Sequence, residues 1–286
     1  AEALDGGNPR TKATHRDKLM KLSAPFSAEP SEIVKTEQRY GGRQFGEKDG
    51  LMFVTEFNRD TNKRKIWMLD YRSQSFAPRV VSDLNTNDRY NDIGNFVNKR
   101  LANGYSVVMQ DGDDVFTSGN GATPEGDRPF LRRFSLRDMK ATEIFRSGSS
   151  SYESFVTFGK DKSEFITRFE TVANPPNLMM HTFNNPVAMA NATTSKPLTN
   201  FTDPTPQLRG ITKRLVKYKR ADGVDLSFTL YLPPNYKEGT RLPTVVWAYP
   251  LEFTDASVAG QVSGSTNRFT QIGGMSHLFF LLQGYA

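Results

Sequence analysis

Over the first two-thirds of the chain, apolar and polar positions alternate in short runs bounded by turn residues, the period of two that predicts strands. Residues 51–57 are apolar and extended, residues 58–63 (Asn-Arg-Asp-Thr-Asn-Lys) supply turn chemistry, and a second run follows at 66–71. Asn and Asp tolerate the left-handed backbone of tight turns, so this spacing predicts a hairpin. The same pattern returns twice. Residues 105–109 lead through Asp111-Gly-Asp-Asp114 to 115–117 and then 130–136, and residues 154–158 lead through a Gly-Lys-Asp-Lys turn to 164–170.

These pairs sit within a loose repeat. Four segments read as the closing strand of one unit, at residues 32–36, 79–82, 143–147 and 196–200, and their ends lie 46, 65 and 53 residues apart. The shortest interval matches a four-stranded propeller blade of ~40–50 residues, and the longer ones allow loop insertions. One small sheet cannot hide both faces alone, so neighbouring units must stack. About four units fit before residue 207, few for a closed ring, which predicts a partial β-propeller; an ordinary β-sandwich is the alternative.

At Thr202-Asp-Pro-Thr-Pro-Gln207 the pattern changes. Residues 215–220 and 226–232 alternate around Asp222-Gly223, a favoured two-residue turn, and predict a second kind of hairpin that ends at Pro233-Pro234. Residues 242–249 are nearly all apolar, as in a strand buried on both faces. Residues 273–284 predict a short helix with Ser276 as N-cap and Gly284 as C-cap. The expectation is therefore a mainly β chain: propeller blades over residues 1–207, then the truncated start of an α/β domain over residues 208–286. Its two or three strands and one helix are too few to cover both faces of a sheet.

Composition removes several function classes. Lys and Arg number 37 against 31 Asp and Glu, a net charge of +6 over 286 residues, and the basic residues alternate with acids. No basic stripe interleaved with aromatics marks a nucleic-acid surface. The longest apolar run, residues 278–282, is far short of the ~20 residues of a membrane helix. With zero cysteines, disulfides, thiolate metal sites and a cysteine nucleophile are excluded. The three histidines are too dispersed for a local metal or base motif. Asp111-Gly-Asp-Asp114 opens like a calcium loop but lacks the later glycine and glutamate, and it reads as a turn.

The C-terminal residues carry a family resemblance. Residues 216–218, the turn at 221–225, Leu230-Tyr-Leu-Pro-Pro-Asn-Tyr236 and Leu242-Pro-Thr-Val-Val-Trp-Ala-Tyr-Pro250 resemble the opening of the catalytic domain in prolyl oligopeptidase-type serine peptidases. Glu252-Phe253, residues 259–264, Asn267-Arg-Phe269 and Ser276-His-Leu-Phe279 resemble the glutamyl endopeptidase-like branch, which includes acylaminoacyl- and dipeptidyl-peptidase-like proteins. The resemblance is specific over residues 210–286 and diffuse over 1–207. It implies a β-propeller gating an α/β-hydrolase domain, peptide substrates, and a Ser-Asp-His acyl-enzyme mechanism without metal or cofactor. It also implies a periplasmic or secreted setting, and oligomeric state stays open. No G-x-S-x-G elbow occurs in these residues, so the triad is expected beyond Ala286 and the chain alone is expected to be inactive. Tyr249 matches the family's oxyanion-stabilising tyrosine, although Pro250 and Leu251 follow it where glycines are usual. A basic residue is expected to pair with a substrate carboxylate; Arg214, Arg220, Arg241 and Arg268 are available, and Arg268, in the loop beyond Tyr249, is favoured. The rival readings are a propeller used as an interaction scaffold and an esterase on the same hydrolase fold.

Overall fold

A computed structural model describes the chain except residues 9, 74–76, 186–192 and 249–254. The protein is mainly β. A meander of β1 (Glu2–Ala3), β2 (Asp17–Lys21) and β3 (Ser31–Thr36) opens the chain. The second sheet, β4 (Arg39–Phe45), β5 (Leu51–Asn58), β6 (Lys63–Asp70) and β7 (Arg79–Asn85), is antiparallel in sequence order. Short strands β8 (Asn95–Phe96), β9 (Asn98–Arg100) and β10 (Ser106–Val108) follow. The third sheet orders β11 (Gln110–Asp111), β12 (Asp114–Gly119), β13 (Phe130–Ser135) and β14 (Lys140–Arg146), with β8 also pairing β12. The fourth is β15 (Tyr152–Phe158), β16 (Glu164–Glu170), β17 (Asn177–Phe183) and β18 (Thr193–Pro197). Three of the four segments expected to close a unit fall wholly or largely on the last strand of one of these sheets, β3, β7 and β14, whereas the fourth, residues 196–200, only overlaps the end of β18 at residues 196 and 197.

Two compact units divide the chain, residues 1–117 with 133–141, and residues 118–132 with 142–286. In the first, β5 shows why the sheets stack. Its side chains alternate: Met52 and Val54 pack with Leu19 and Leu69, whereas Phe53 packs with Ile66, Met68, Val108, Val115 and Phe134. Both faces of this strand are thus apolar, so a neighbouring sheet must cover each. The turn at 58–63 forms as the sequence predicts: Asn58 Oδ1 accepts from the Asp60 and Thr61 amides at 2.9 and 3.1 Å, and Asn62 is left-handed at φ 53°. Glu56, fully buried on β5, is satisfied by the Trp67 indole and the Gln38 amide, both at 2.9 Å. The Asp111–Asp114 segment is a β turn rather than an ion loop. Arg133 spans its two flanking carboxylates at 2.9 and 2.5 Å. Residues 105–109 depart from expectation, because β10 pairs with β9 and only β11 forms the hairpin with β12.

In the second unit, the fourth sheet encloses a buried polar knot. His181 Nε2 and the Thr167 hydroxyl donate to Glu153 Oε1 at 2.7 and 2.5 Å, and Phe165 stacks on the imidazole with ring centroids 4.7 Å apart. His181 is thus structural. Beyond a 3-10 turn at Pro206–Leu208, β19 (Thr212–Lys219) and β20 (Asp225–Leu232) pair in register from Thr212–Leu232 to Lys219–Asp225. The expected two-residue turn is instead a longer one, because Arg220 N bonds to Val224 O and Gly223 takes φ 88°. A glycine in that conformation suits a three-residue hairpin loop with a bulge.

The expected strand at 242–249 is corrected by the structure. Its described residues, 242–248, form no strand, and Val246 and Trp247 are 87% and 63% exposed. An apolar run is buried in a sheet only where ladders flank it and layers cover it. Here the pairing comes down to two bonds: Val245 N donates to Ala286 O, and Ala286 N donates to Pro243 O, both at 2.9 Å. The expected helix is a 3-10 helix, His277–Gln283, bounded as predicted: Ser276 Oγ accepts from Leu278 N at 3.2 Å, and Gly284 is left-handed at φ 83°. A short α-helix, Ala256–Ala259, is capped by Asp255. No helix among the described residues is long and apolar enough to cross a membrane.

Candidate functional site

Tyr249, the residue that sequence reasoning nominates, lies outside the described residues. On the approach to it, Trp247 stacks face to face on His277, with centroids 5.0 Å apart and planes 8° from parallel. His277 therefore serves as a packing partner.

The strongest concentration of chemistry in the second unit surrounds Glu170, the last residue of β16. Its carboxylate is 2% exposed, and a buried charge must be compensated by partners. Arg168 Nη1 and Arg268 Nε approach the same oxygen, Oε1, at 3.1 and 3.4 Å, while the Phe269 amide donates to Oε2 at 3.2 Å. Strand geometry explains the first contact, because Arg168 and Glu170 are two apart and project from one face of β16. The others come from a loop 98 residues further along the chain. That loop is fixed again by Asn267, whose amide nitrogen donates to Ser149 O at 2.8 Å.

Four more side chains close the cluster. The Arg268 guanidinium lies 4.9 Å from the Tyr152 ring centroid, a cation–π contact. Lys213, on β19, donates its ammonium to the Arg268 carbonyl oxygen. Burial pushes the Lys213 pKa down from 10.5 to about 8; nearby Glu170 opposes the change, and Arg209 and Arg268 reinforce it. Burial raises the pKa of the Tyr152 and Tyr231 phenols. Arg209 is held through its terminal nitrogens, while its buried Nε has an ion-pair contact but no hydrogen bond. It donates to Val172 O at 2.9 Å and Thr270 O at 2.7 Å, pairs with Asp203 at 2.7 Å, and lies 3.7 Å over the Phe269 ring.

Of the arginines the sequence offers for carboxylate recognition, two are already occupied. Arg214 holds Glu238 through both terminal nitrogens, at 3.5 and 2.9 Å, and Arg220 holds Asp222 through Nε and Nη2, at 2.9 and 2.7 Å. Arg241 is exposed. Arg268 alone is drawn into a built environment. Sequence reasoning missed Glu170, Arg168, Tyr152 and Lys213, whose convergence depends on long-range folding that no local pattern announces. Among the described residues no group of three or more His, Asp or Glu is placed to hold a metal.

Two curated plant proteins, both named as endopeptidases, align with the whole of this chain. Each carries the name probable glutamyl endopeptidase, chloroplastic: that of Arabidopsis thaliana is 34% identical over 300 residues, and that of Oryza sativa subsp. japonica is 33% identical over 297. The chain is thus homologous to glutamyl endopeptidase-named proteins along its full length, and it spans about a third of theirs, 31% and 32%. No protein-family model matches it. Among solved structures, a variant of the AtxE2 isopeptidase aligns at TM-score 0.39 and 14% identity over 73% of this chain and 28% of its own. TolB from Acinetobacter baumannii aligns at 0.33 and 12% over 83% and 53%. Likeness at that level carries no argument about fold or chemistry.

Proposed function

We propose that this chain is part of a serine peptidase of the glutamyl endopeptidase type. In this reading the four meanders over residues 1–207 are blades of a β-propeller that controls access, and residues 208–286 open an α/β-hydrolase domain. The observation that carries the reading is the 34% identity over the entire chain, meanders and C-terminal segment alike, to a protein of that name. The hydrogen bonds joining Ala286 to Pro243 and Val245 support it, since their pattern is that of a parallel pair. Parallel strands need a long crossover, here the roughly 40 residues that include the 3-10 helix.

The chemistry is acyl transfer. A serine outside these residues attacks the peptide carbonyl, a histidine carries its proton to the leaving amine, and an aspartate orients the histidine. The hydroxyl of Tyr249, just past the apolar run, donates to the oxyanion of the tetrahedral intermediate.

The test uses the longer protein that contains this segment. It is expected to cleave peptides after glutamate and to be inhibited by a serine-directed fluorophosphonate. Tyr249→Phe is expected to lower kcat by ~10²–10³-fold with KM little changed. Hydrolysis of short esters without peptide cleavage overturns the reading in favour of an esterase. Absence of both activities overturns it in favour of an interaction scaffold.

A further inference from the structure

We propose that Arg268, held from behind by Glu170 and braced on Tyr152, with Arg168 on the same carboxylate oxygen, receives the side-chain carboxylate of an acidic peptide substrate. The proposal rests on the peptidase reading and assigns residues to its specificity.

Glu170 is buried and already committed: two arginines share one oxygen, and the Phe269 amide donates to the other. It acts on Arg268 through Nε alone. The terminal nitrogens Nη1 and Nη2 have no protein partner among the described residues, and the side chain is 53% exposed. Those two nitrogens form the edge that binds a carboxylate through two parallel N–H···O bonds. An arginine fixed at Nε and laid along an aromatic ring loses less freedom on binding than a solvated one, which favours a tight, oriented contact.

The local field points the same way. Arg168, Arg209, Lys213 and Arg268 outnumber the acids of this cluster, Glu170, Asp203 and Asp127, so positive charge is in excess. The lowered pKa of Lys213 is consistent with that surplus, since Arg209 and Arg268 both disfavour its charged form. Arg214 and Arg220 cannot substitute, because each is closed by its own bidentate carboxylate.

The experiment compares kcat/KM of the longer protein on two matched peptides that differ only in Glu or Gln before the scissile bond. Hydrogen bonds to charged groups are worth about 1.5–3 kcal/mol, so Arg268→Gln should lower kcat/KM for the Glu peptide ~10–100-fold more than for the Gln peptide. Arg268→Lys should restore part of the preference by charge without the fork. Arg168→Gln, on the rigid strand, should shift the ratio in the same direction by less, and it keeps the test open if the loop variant misfolds. Equal losses on both peptides, or an intact Glu/Gln ratio, overturn the proposal while the peptidase reading stands. Wild-type protein that cleaves neither peptide overturns the peptidase reading itself.

Discussion

Lys213 offers a quantitative test of the cluster around Glu170. Its pKa falls from 10.5 to about 8, which at about 1.4 kcal/mol per tenfold change caps the cost of keeping it charged in the fold at ~3.5 kcal/mol. The lysine keeps partial access to water, so screening reduces this to roughly 1–2 kcal/mol. The sign follows from proton counting. Between pH 8 and 10.5 the unfolded chain holds the proton and the folded chain does not, so stability rises with pH across that window. Lys213→Met removes the titration together with the bond to the Arg268 carbonyl, worth ~1 kcal/mol. At neutral pH the variant should therefore be as stable as the parent or up to ~1 kcal/mol more stable. Above about pH 10.5 it should be ~1 kcal/mol less stable, because the parent no longer carries the buried charge. Urea denaturation followed by tryptophan fluorescence, read as the variant-minus-parent difference at each pH, isolates this group from the tyrosines. A difference independent of pH, or one that moves in favour of the variant as pH rises, would refute the reasoning.

Three further outcomes follow from the structure. A Cβ at Gly260 would lie 2.2 Å from the Asp225 carbonyl oxygen, a contact with backbone that a rotamer cannot relieve, so Gly260→Ala should cost ~1–3 kcal/mol in thermal or chemical denaturation. Glu153→Ala strips the buried Thr167 hydroxyl and His181 imidazole of their common acceptor and should cost about 2–3 kcal/mol; a loss below 0.5 kcal/mol would show that the knot is not structural. Residues 1–286 alone present Trp247, Met275, Phe279, Phe280 and Leu282 to solvent and should self-associate in light scattering, whereas a monodisperse species would contradict that expectation.

What could be read from the sequence was what short-range chemistry controls. The Asn58 turn, the β15–β16 hairpin, the caps at Ser276 and Gly284, and three of the four closing strands all follow from residues within a few positions of one another. The β9–β10 pairing was not legible, since residues 105–109 suit either partner and the choice is made by packing. Residues 242–249 have the composition of an interior strand, but composition cannot supply the neighbours that would bury one. The Glu170 cluster was least legible of all. A glutamate at the end of an alternating run looks solvated until a loop 98 residues away brings Arg268 and the Phe269 amide to it. Arg268 was singled out by its position in that loop, and the structure adds what distinguishes it from Arg214 and Arg220.

The central claim is that these residues serve a serine peptidase. Its most direct test is to treat the longer protein with a serine-directed fluorophosphonate and map the adduct by mass spectrometry while following cleavage of a glutamate-containing peptide. The account predicts one modified serine, C-terminal to residue 286 and within a G-x-S-x-G sequence, with peptide cleavage lost in proportion to labelling. Full peptide cleavage with no serine modified, or a modified serine with no peptide cleavage at any stage, would contradict it.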